Sequence, residues 1–432
     1  MKSTSFIEEL GWRGMIHDIM PGLEDFIAGK MKSAYIGFDP TSDSLHIGHL
    51  VPIMLLAHFQ KHGHRPIALV GGATGMIGDP SGKSSERNLL DEETIKSNQK
   101  TIKDQLAHFL DFNKSKKNTA LLLNNLEWMK GLVFLDFIRD IGKHMTVNYM
   151  MSKDSVKNRI SGNQAEGMSF TEFSYQLVQG YDFFYLHKNY DCSIQMGGSD
   201  QWGNITSGTE LIRRMDNGKG YALTCPLITK SDGSKFGKTQ EGNIWLDSRK
   251  TSVYKFYQYW LNTSDEDAEK YIKIFTFLSK QQIHELTSEH HKNPHLRIIQ
   301  KALSKEITSI VHSKEEYLNA LKASNILYSN NFKEDIEQLN ESVFLEIFDG
   351  VPQYEISSSI FNKGLDMVSA LSNKTSFLKS NSEARRALKE NSISVNKIKV
   401  NEEYIIDEKD LISKKYIILN KGKKSTYIIK VI

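Results

Sequence analysis

Cysteine is almost missing from this chain: Cys192 and Cys225 are the only two in 432 residues. They lie far apart and neither has a His or Cys companion at ligand spacing. That speaks against a disulfide framework and against a zinc site, so no metal ligands are assigned and both are expected as buried free thiols. Long hydrophobic runs are missing as well. No stretch of about 18 apolar residues offers a membrane span, and Met1 to Leu10 lacks the basic and then apolar pattern of a secretory signal. A cytoplasmic protein without membrane association is the expectation. Net charge is small too, +3 from 55 Lys plus Arg and 52 Asp plus Glu, but it is unevenly spread. Residues 361–432 hold 15 basic and 8 acidic side chains, a net of +7, which leaves −4 for everything before them. A slightly acidic body with a basic C-terminal module suggests a catalytic part joined to a polyanion-binding part; lysines that merely keep a small domain soluble are the alternative. The apolar share of 39% with 25% charged residues is ordinary soluble-protein usage, and the length allows two or three domains.

The stretch Tyr35 to Leu50, YIGFDPTSDSLHIGHL, is the most informative. Tyr35, Ile36 and Phe38 read as the end of a short strand closed by Gly37 and Asp39-Pro40. A hydroxyl-rich loop follows, Thr41 to Ser44, and then His46-Ile47-Gly48-His49 opens an apolar helical run from Leu50 to Phe59. Pro52 is tolerable only in a first helical turn, which independently places the helix start beside the two histidines. Unpaired N–H groups and the positive end of the backbone dipole suit that position to a phosphate, and Gly48 leaves room for a flat ring. Taken alone, the four residues also fit a polar turn with two surface histidines. Ile67 to Val70 reads as a buried parallel strand running into Gly71 to Lys83, GGATGMIGDPSGK, where backbone approaches a ligand or turns sharply. Strand, helix, strand and Gly-rich loop make the first half of a nucleotide-binding α/β sheet, with ligands at the carboxyl ends of the strands. The G-x-x-x-x-G-K spacing of a Walker loop is not met.

Helices are expected over Phe6 to Met20, from Pro21-Gly22 to about Lys32, and over Leu89 to Phe112 and Trp128 to Lys157, the last two separated by a strand Ala120 to Leu123. The block with Phe134, Phe137, Ile138, Ile141, Met145, Tyr149 and Met150 has more large apolar side chains than one core stripe needs, so it faces a partner subunit or forms an interior helix pair. In a helix over Thr171 to Phe183, Tyr175, Gln179 and Asp182 share one face, either toward solvent or lining a polar pocket. Asp191 to Gln195 reads as a strand ending in the polar, Gly-rich run Gly197 to Asn204. The loop Thr229 to Thr239 sets lysines among small residues, which suits a transient polyanion.

Five stretches, in order and suitably spaced, resemble one family. HIGH at His46 to His49, GGATGMIGDPSGK at 71 to 83, TEFSYQLVQGYDF at 171 to 183, GGSDQWGNI at 197 to 205 and KFGKT at Lys235 to Thr239 are similar to the signatures of bacterial tyrosyl-tRNA synthetases, class I enzymes, along the whole chain. Ile36 departs from a cysteine found in many members and Pro52 from a threonine. The resemblance implies an α/β fold: a Rossmann-like parallel-sheet catalytic domain with a helical dimerisation insertion at 1–225, the KFGKT loop and a helical anticodon-side domain at 226–329, a mixed linker at 330–359, and a small α+β S4-like RNA-binding domain at 360–432.

It also implies a reaction. Tyrosine carboxylate attacks the α-phosphorus of ATP, and the adenylate then acylates the terminal ribose of tRNA. His46, His49, Thr41, Lys83, Arg87, Lys235, Lys238 and Thr239 are assigned to the phosphates. Tyr35 and Asp182 are assigned to the substrate phenol, Asp79, Tyr175 and Gln179 to its ammonium group, and Gln201 to the neighbourhood of its carboxylate. Asp39, Gly48, Gly198, Asp200 and Lys238 face the nucleotide, and Arg385 and Arg386 meet tRNA. The expected partners are L-tyrosine, ATP with Mg²⁺ and tRNA(Tyr), in a homodimer with no tightly bound cofactor. Tryptophanyl-tRNA synthetases share the fold, but Tyr35 with Asp182 suits a phenol better than an indole; an RNA-binding descendant without activity is opposed by the intact HIGH and KFGKT.

Overall fold

The structure, a computed structural model, describes residues 4–79, 81, 91–161, 167–234, 236–239, 242–326, 332–349, 351–422 and 425–432. Two compact units are present, Met1–Lys314 and Glu315–Ile432.

The first unit is built on a six-stranded sheet. Its strands are β1 (Asp18–Ile19), β2 (Ser33–Phe38), β3 (Arg65–Val70), β4 (Leu121–Asn124), β5 (Cys192–Gly198) and β6 (Tyr221–Cys225), in the spatial order β1-β6-β5-β2-β3-β4. All neighbours pair in parallel except β1, which runs antiparallel to β6. The central strands are buried along nearly their whole length, which is why they read as apolar runs without alternation. From β2 the chain winds outward to β3 and β4 and then returns to the other side of β2 with β5 and β6. The winding reverses between β2 and β5, so the crevice beyond their carboxyl ends is where such a sheet takes a ligand.

Several helices differ from the sequence expectation. The first spans only Phe6–Arg13, because Gly14 takes a left-handed conformation (φ 72°) and closes it, and Asp18–Ile19 is captured as an edge strand by Thr224 and Leu223. The next covers only Leu23–Ile27. The segment expected to be helical over Trp128 to Lys157 is broken into Leu126–Met129, Phe134–Asp140, Val147–Met151 and Asp154–Ser161. The long helix Phe170–Tyr190 has the expected place and crosses the helix Trp202–Asp216. Beyond the sheet, helices Val253–Leu261, Asp265–Phe275, Lys280–Lys292 and Ile298–Val311 complete this unit, and Ser264 caps the second of them through the Asp267 N–H. No helix among the described residues is long and apolar enough to cross a membrane.

In the second unit a five-stranded sheet has the order 398–399, 393–395, 416–421, 425–431, 353–356, with the helix Asn381–Lys389 and two short helices at 358–371 packed into one core. The stretch read as a linker, 330–359, carries helices Phe332–Glu337 and Glu341–Ile347 and the edge strand Gln353–Ile356, which pairs with 428–431. Its mixed composition hid a few well-placed anchors: Ile326, Phe332, Ile336, Phe344 and Phe348 form a second small core with Ile412, Tyr416, Ile418 and Ile428.

Candidate functional site

A cavity of about 860 Å³ opens at the carboxyl ends of β2 and β5. Tyr35, Asp39, Thr41, His46, Gly48, His49, Asp79, Tyr175, Gln179, Asp182, Gly198, Asp200 and Gln201, all singled out from the sequence, line it. So do the two departures, Ile36 and Pro52. Five others are not shown there. Lys83, Arg87 and Lys235 lie outside the described residues, and for Lys238 and Thr239 only the backbone is described, as a two-residue strand paired with Gly242–Asn243. Arg385 and Arg386 sit in the other unit, exposed on the helix Asn381–Lys389, where Arg385 bonds Glu402 (2.9 Å).

The deep end is built around Asp182. Its carboxylate is 1% exposed and accepts two hydrogen bonds, one from Asn125 Nδ2 and one from Trp128 Nε1, each 2.8 Å. Burial pushes its pKa up to about 7; the Asn125 and Trp128 donors pull it back, and the charge of Asp39 pushes it further up. Tyr35 is likewise fully buried, and its hydroxyl has no hydrogen-bond partner among the described residues. Burial raises the Tyr35 pKa far above the usual phenol value, with the nearby Asp182 charge acting in the same direction. A buried orphan hydroxyl beside a buried carboxylate is expensive unless a ligand group supplies what is missing.

Asn125 is the residue that sequence reading missed and the geometry puts at the centre. Fully buried at the end of β4, it accepts from the Ala73 N–H at 2.7 Å and donates to both Asp182 and Thr74 Oγ1, the latter at 3.2 Å. Thr74 in turn donates to Asp39 Oδ1 at 2.7 Å, and the Tyr175 hydroxyl donates to Asp39 Oδ2 at 3.0 Å. A continuous polar chain thus runs from the deep end to the loop after β2. The shared setting expected for Tyr175, Gln179 and Asp182 is only partly found: all three face the cavity, but the partners of Asp182 come from Asn125 and Trp128. The Gly-rich loop is needed for close approach, because a Cβ on Gly71 would lie 2.0 Å from Asp39 Oδ1. Asn-Asn at 124–125 just after an apolar strand was the available signal, since a strand end meeting a Gly-rich loop invites polar partners.

A second carboxylate, Asp79, also lines the cavity. It accepts from Gln201 Nε2 at 2.8 Å and from the Ser81 N–H at 2.9 Å, with Asn204 Nδ2 at 3.4 Å.

At the outer end the helix Leu50–Lys61 is preceded by a single 3₁₀ turn, Ile47–His49, with Pro52 in its first turn. His46 Nδ1 accepts from the Gly48 N–H (3.1 Å), and His49 Nδ1 accepts from the His46 N–H (3.2 Å). With both Nδ1 lone pairs engaged by the backbone, each ring carries its proton on Nε2 and acts there as a donor. Gly48 is fixed by the same geometry: a Cβ there would come within 2.8 Å of the His46 ring. The loop before it is pinned by the helix Glu92–Leu106, where Asn98 donates to the Pro40 carbonyl and Gln105 bonds both Ser44 Oγ and the Leu45 N–H. Two imidazole donors at a helix start suit an anion, while among the described residues no group of three His, Cys, Asp or Glu side chains is placed to hold a metal ion.

Comparison with known proteins places this architecture. Residues 29–329 match the family of class I tRNA synthetases (W and Y), and residues 344–429 match the SYY-like C-terminal domain of tyrosine–tRNA ligases. The tyrosine–tRNA ligase of Flavobacterium johnsoniae is 60% identical over 430 residues, 99% of this chain and 100% of that one. That of Flavobacterium psychrophilum is 61% identical over 429 residues, 99% of each chain. Among solved structures, a C-terminally truncated mitochondrial tyrosyl-tRNA synthetase from Aspergillus nidulans superposes with a TM-score of 0.67 at 32% identity, covering 76% of this chain and 95% of that one.

Proposed function

The chain belongs to the tyrosine–tRNA ligases of class I, and from that premise we propose how its cavity divides the work of activating L-tyrosine with ATP and passing it to tRNA(Tyr). The observation that carries the reading is the buried pairing of an orphan phenol, Tyr35, with the Asp182 carboxylate at the closed end of a cavity whose other end is a helix start with two imidazole donors. A substrate phenol donates its proton to Asp182 and accepts from Tyr35. The ammonium group is held by Asp79, Tyr175 and Gln179, and the carboxylate lies beside Gln201, which places it facing the nucleotide bounded by Asp39, Gly48, Gly198 and Asp200.

The amino acid brings its own nucleophile, so the protein needs neither an enzyme nucleophile nor a general base for the first step; it positions two reactants and stabilises charge growing on the phosphates. His46 and His49 donate through Nε2 to those phosphates, Thr41 lines the same cavity, and the same charge-stabilising role is proposed for Lys83, Arg87, Lys235, Lys238 and Thr239. Mg²⁺ enters with ATP as its counter-ion. The direct test is tyrosine-dependent exchange of pyrophosphate into ATP, run beside tryptophan: exchange with tryptophan and none with tyrosine overturns the assignment of the deep end. Changing His46 or His49 to Ala should lower the rate constant for adenylate formation by about 10- to 1,000-fold with little change in tyrosine affinity, since these donors meet charge that exists mainly in the transition state. A raised tyrosine KM with an unchanged rate constant would contradict this.

The basic stretch 361–432 of the second unit carries the RNA role, with Arg385 and Arg386 on the exposed face of its helix, and a protein that works on tRNA belongs in the cytoplasm. For the first unit, a homodimer accounts for an apolar face. Val133, Phe134, Leu135, Ile138, Val147 and Met151 are exposed in the broken helical segment, and Phe170 is exposed at the start of the long helix. So many large side chains within so short a stretch exceed what isolated surface residues explain. Leu135→Arg should convert a dimer to monomers in sedimentation equilibrium; a wild-type chain that is monomeric at micromolar concentration removes the proposal.

A further inference from the structure

The KFGKT stretch is anchored on both sides of Lys235. Before it, Ser231 gives Asp267 two hydrogen bonds, from its N–H to Oδ1 at 3.0 Å and from its hydroxyl to Oδ2 at 3.2 Å, and this carboxylate is 6% exposed. After it, the Phe236 ring stacks on Phe275 with centroids 5.3 Å apart and planes 7° from parallel, with Tyr271 at 5.1 Å and Trp260 at 6.0 Å closing the cage. The Gly237 N–H donates to the Tyr259 hydroxyl at 3.2 Å, and its carbonyl accepts from the Ile244 N–H at 3.1 Å.

Apart from Ile244, these anchors stand on the helices Val253–Leu261 and Asp265–Phe275. The opposite side of the loop meets the helix start that carries the histidines. Gly237 has φ +81°, and a Cβ there would lie 3.0 Å from Ile47 Cγ1 and 3.6 Å from the Gly48 nitrogen. The Ile47 N–H donates to the Ile244 carbonyl, and the Leu246 N–H to the Leu45 carbonyl, so the chain leaving the loop is stitched to the HIGH segment. An extended loop with few contacts of its own would have to be ordered at every turnover, at a cost in conformational entropy; these contacts supply that order in advance.

We infer that Asp267, Tyr259 and the aromatic cage around Phe236 are positioning residues for adenylation: they fix Ser231, Phe236 and the Gly237 backbone from the helical side while Gly237 abuts Ile47 and Gly48. None of them lines the cavity apart from Phe236 itself, so they act through the loop and not on substrate. The inference rests on the reading of the cavity as an adenylation site.

The experiment uses the full-length protein with Tyr259→Phe, Asp267→Asn, Ser231→Ala and the double variant of the last two. Single-turnover formation of tyrosyl adenylate is measured at saturating ATP and tyrosine, tyrosine binding by equilibrium dialysis, and Tm for each variant. The adenylation rate falls about three- to thirtyfold in Tyr259→Phe and in Asp267→Asn. Tyrosine affinity stays within about twofold, and the double variant is no slower than Asp267→Asn alone, because both changes break one contact. Rates unchanged in both Tyr259→Phe and Asp267→Asn, tyrosine affinity falling in step with the rate, or additive losses in the double variant overturn it. A wild-type chain that forms no tyrosyl adenylate overturns the reading of the cavity itself.

Discussion

Asp182→Ala is expected to reduce kcat/KM for tyrosine activation by about ten- to two-hundredfold and to lower Tm as well. Two losses combine. The substrate phenol loses a charged acceptor, and hydrogen bonds to charged groups contribute about 1.5–3 kcal/mol. The Asn125 and Trp128 donors also lose their buried partner, at about 1–3 kcal/mol for each group left unsatisfied. The second loss acts on the folded protein itself, so Tm should fall as well. Asp182→Asn keeps the shape but offers one acceptor oxygen in place of two, so one of those donors then faces an amide N–H₂.

Tyr35→Phe should behave differently. The hydroxyl has no partner to lose among the described residues, so stability is unchanged or slightly raised, while tyrosine binding weakens by about three- to thirtyfold, the share of one neutral hydrogen bond. If tyrosine and phenylalanine are discriminated as well by Tyr35→Phe as by wild type, this strand end is not part of the amino-acid pocket.

The raised pKa of Asp182, about 7 with burial as its main cause, adds a pH signature. Below that value the free protein holds Asp182 protonated, and the charged acceptor is missing. Tyrosine affinity should therefore weaken as pH drops from 8 to 6, by up to about tenfold for a single group titrating near 7, and Asp182→Asn should flatten the profile. For stability the sign is the reverse. A folded pKa above the unfolded carboxylate value means that the folded state binds the extra proton, so the contribution of Asp182 is most favourable below pH 4 and is lost as pH rises through 7. The Asp182→Asn variant should gain on wild type in Tm between pH 5 and pH 8. An affinity that is flat with pH in wild type would show that Asp182 does not titrate in this window.

A chain ending at Lys314 should keep tyrosine-dependent pyrophosphate exchange within about threefold and lose tRNA charging by a hundredfold or more. The boundary is physical. The core of the first unit runs as far as Val311, whereas Ile326, Phe332 and Phe344 pack with Ile412, Tyr416 and Ile428 in the second. The salt-dependent RNA contacts of a basic module go with it. A cut near Asn330, which sequence composition suggested, would leave Ile326 without its core partners and should give a more protease-sensitive chain with the same catalytic split. Full aminoacylation by the 1–314 chain would remove the RNA role of the basic stretch 361–432.

The sequence by itself determined the nature of the site more than its support. Strand β2, the helix start at His46 to Pro52 and the long helix with Tyr175, Gln179 and Asp182 on one face were legible because each depends on local rules: glycine and proline punctuation, helical period and buried parallel strands that read as apolar runs. Which side chains hold those residues in place depends on contacts between distant elements. Asn125 and Trp128 reach Asp182 across 57 and 54 residues of chain, and Gln105 reaches the Ser44 loop across 61. Such partners carry no local periodic signal, because their value lies in satisfying a buried group contributed by another element. The same holds for the stretch 332–356, whose few apolar anchors gain meaning only when the distant strand 425–431 brings a core to them, and for Asp18–Ile19, where an expected helix gives way to an edge strand because β6 offers free backbone partners.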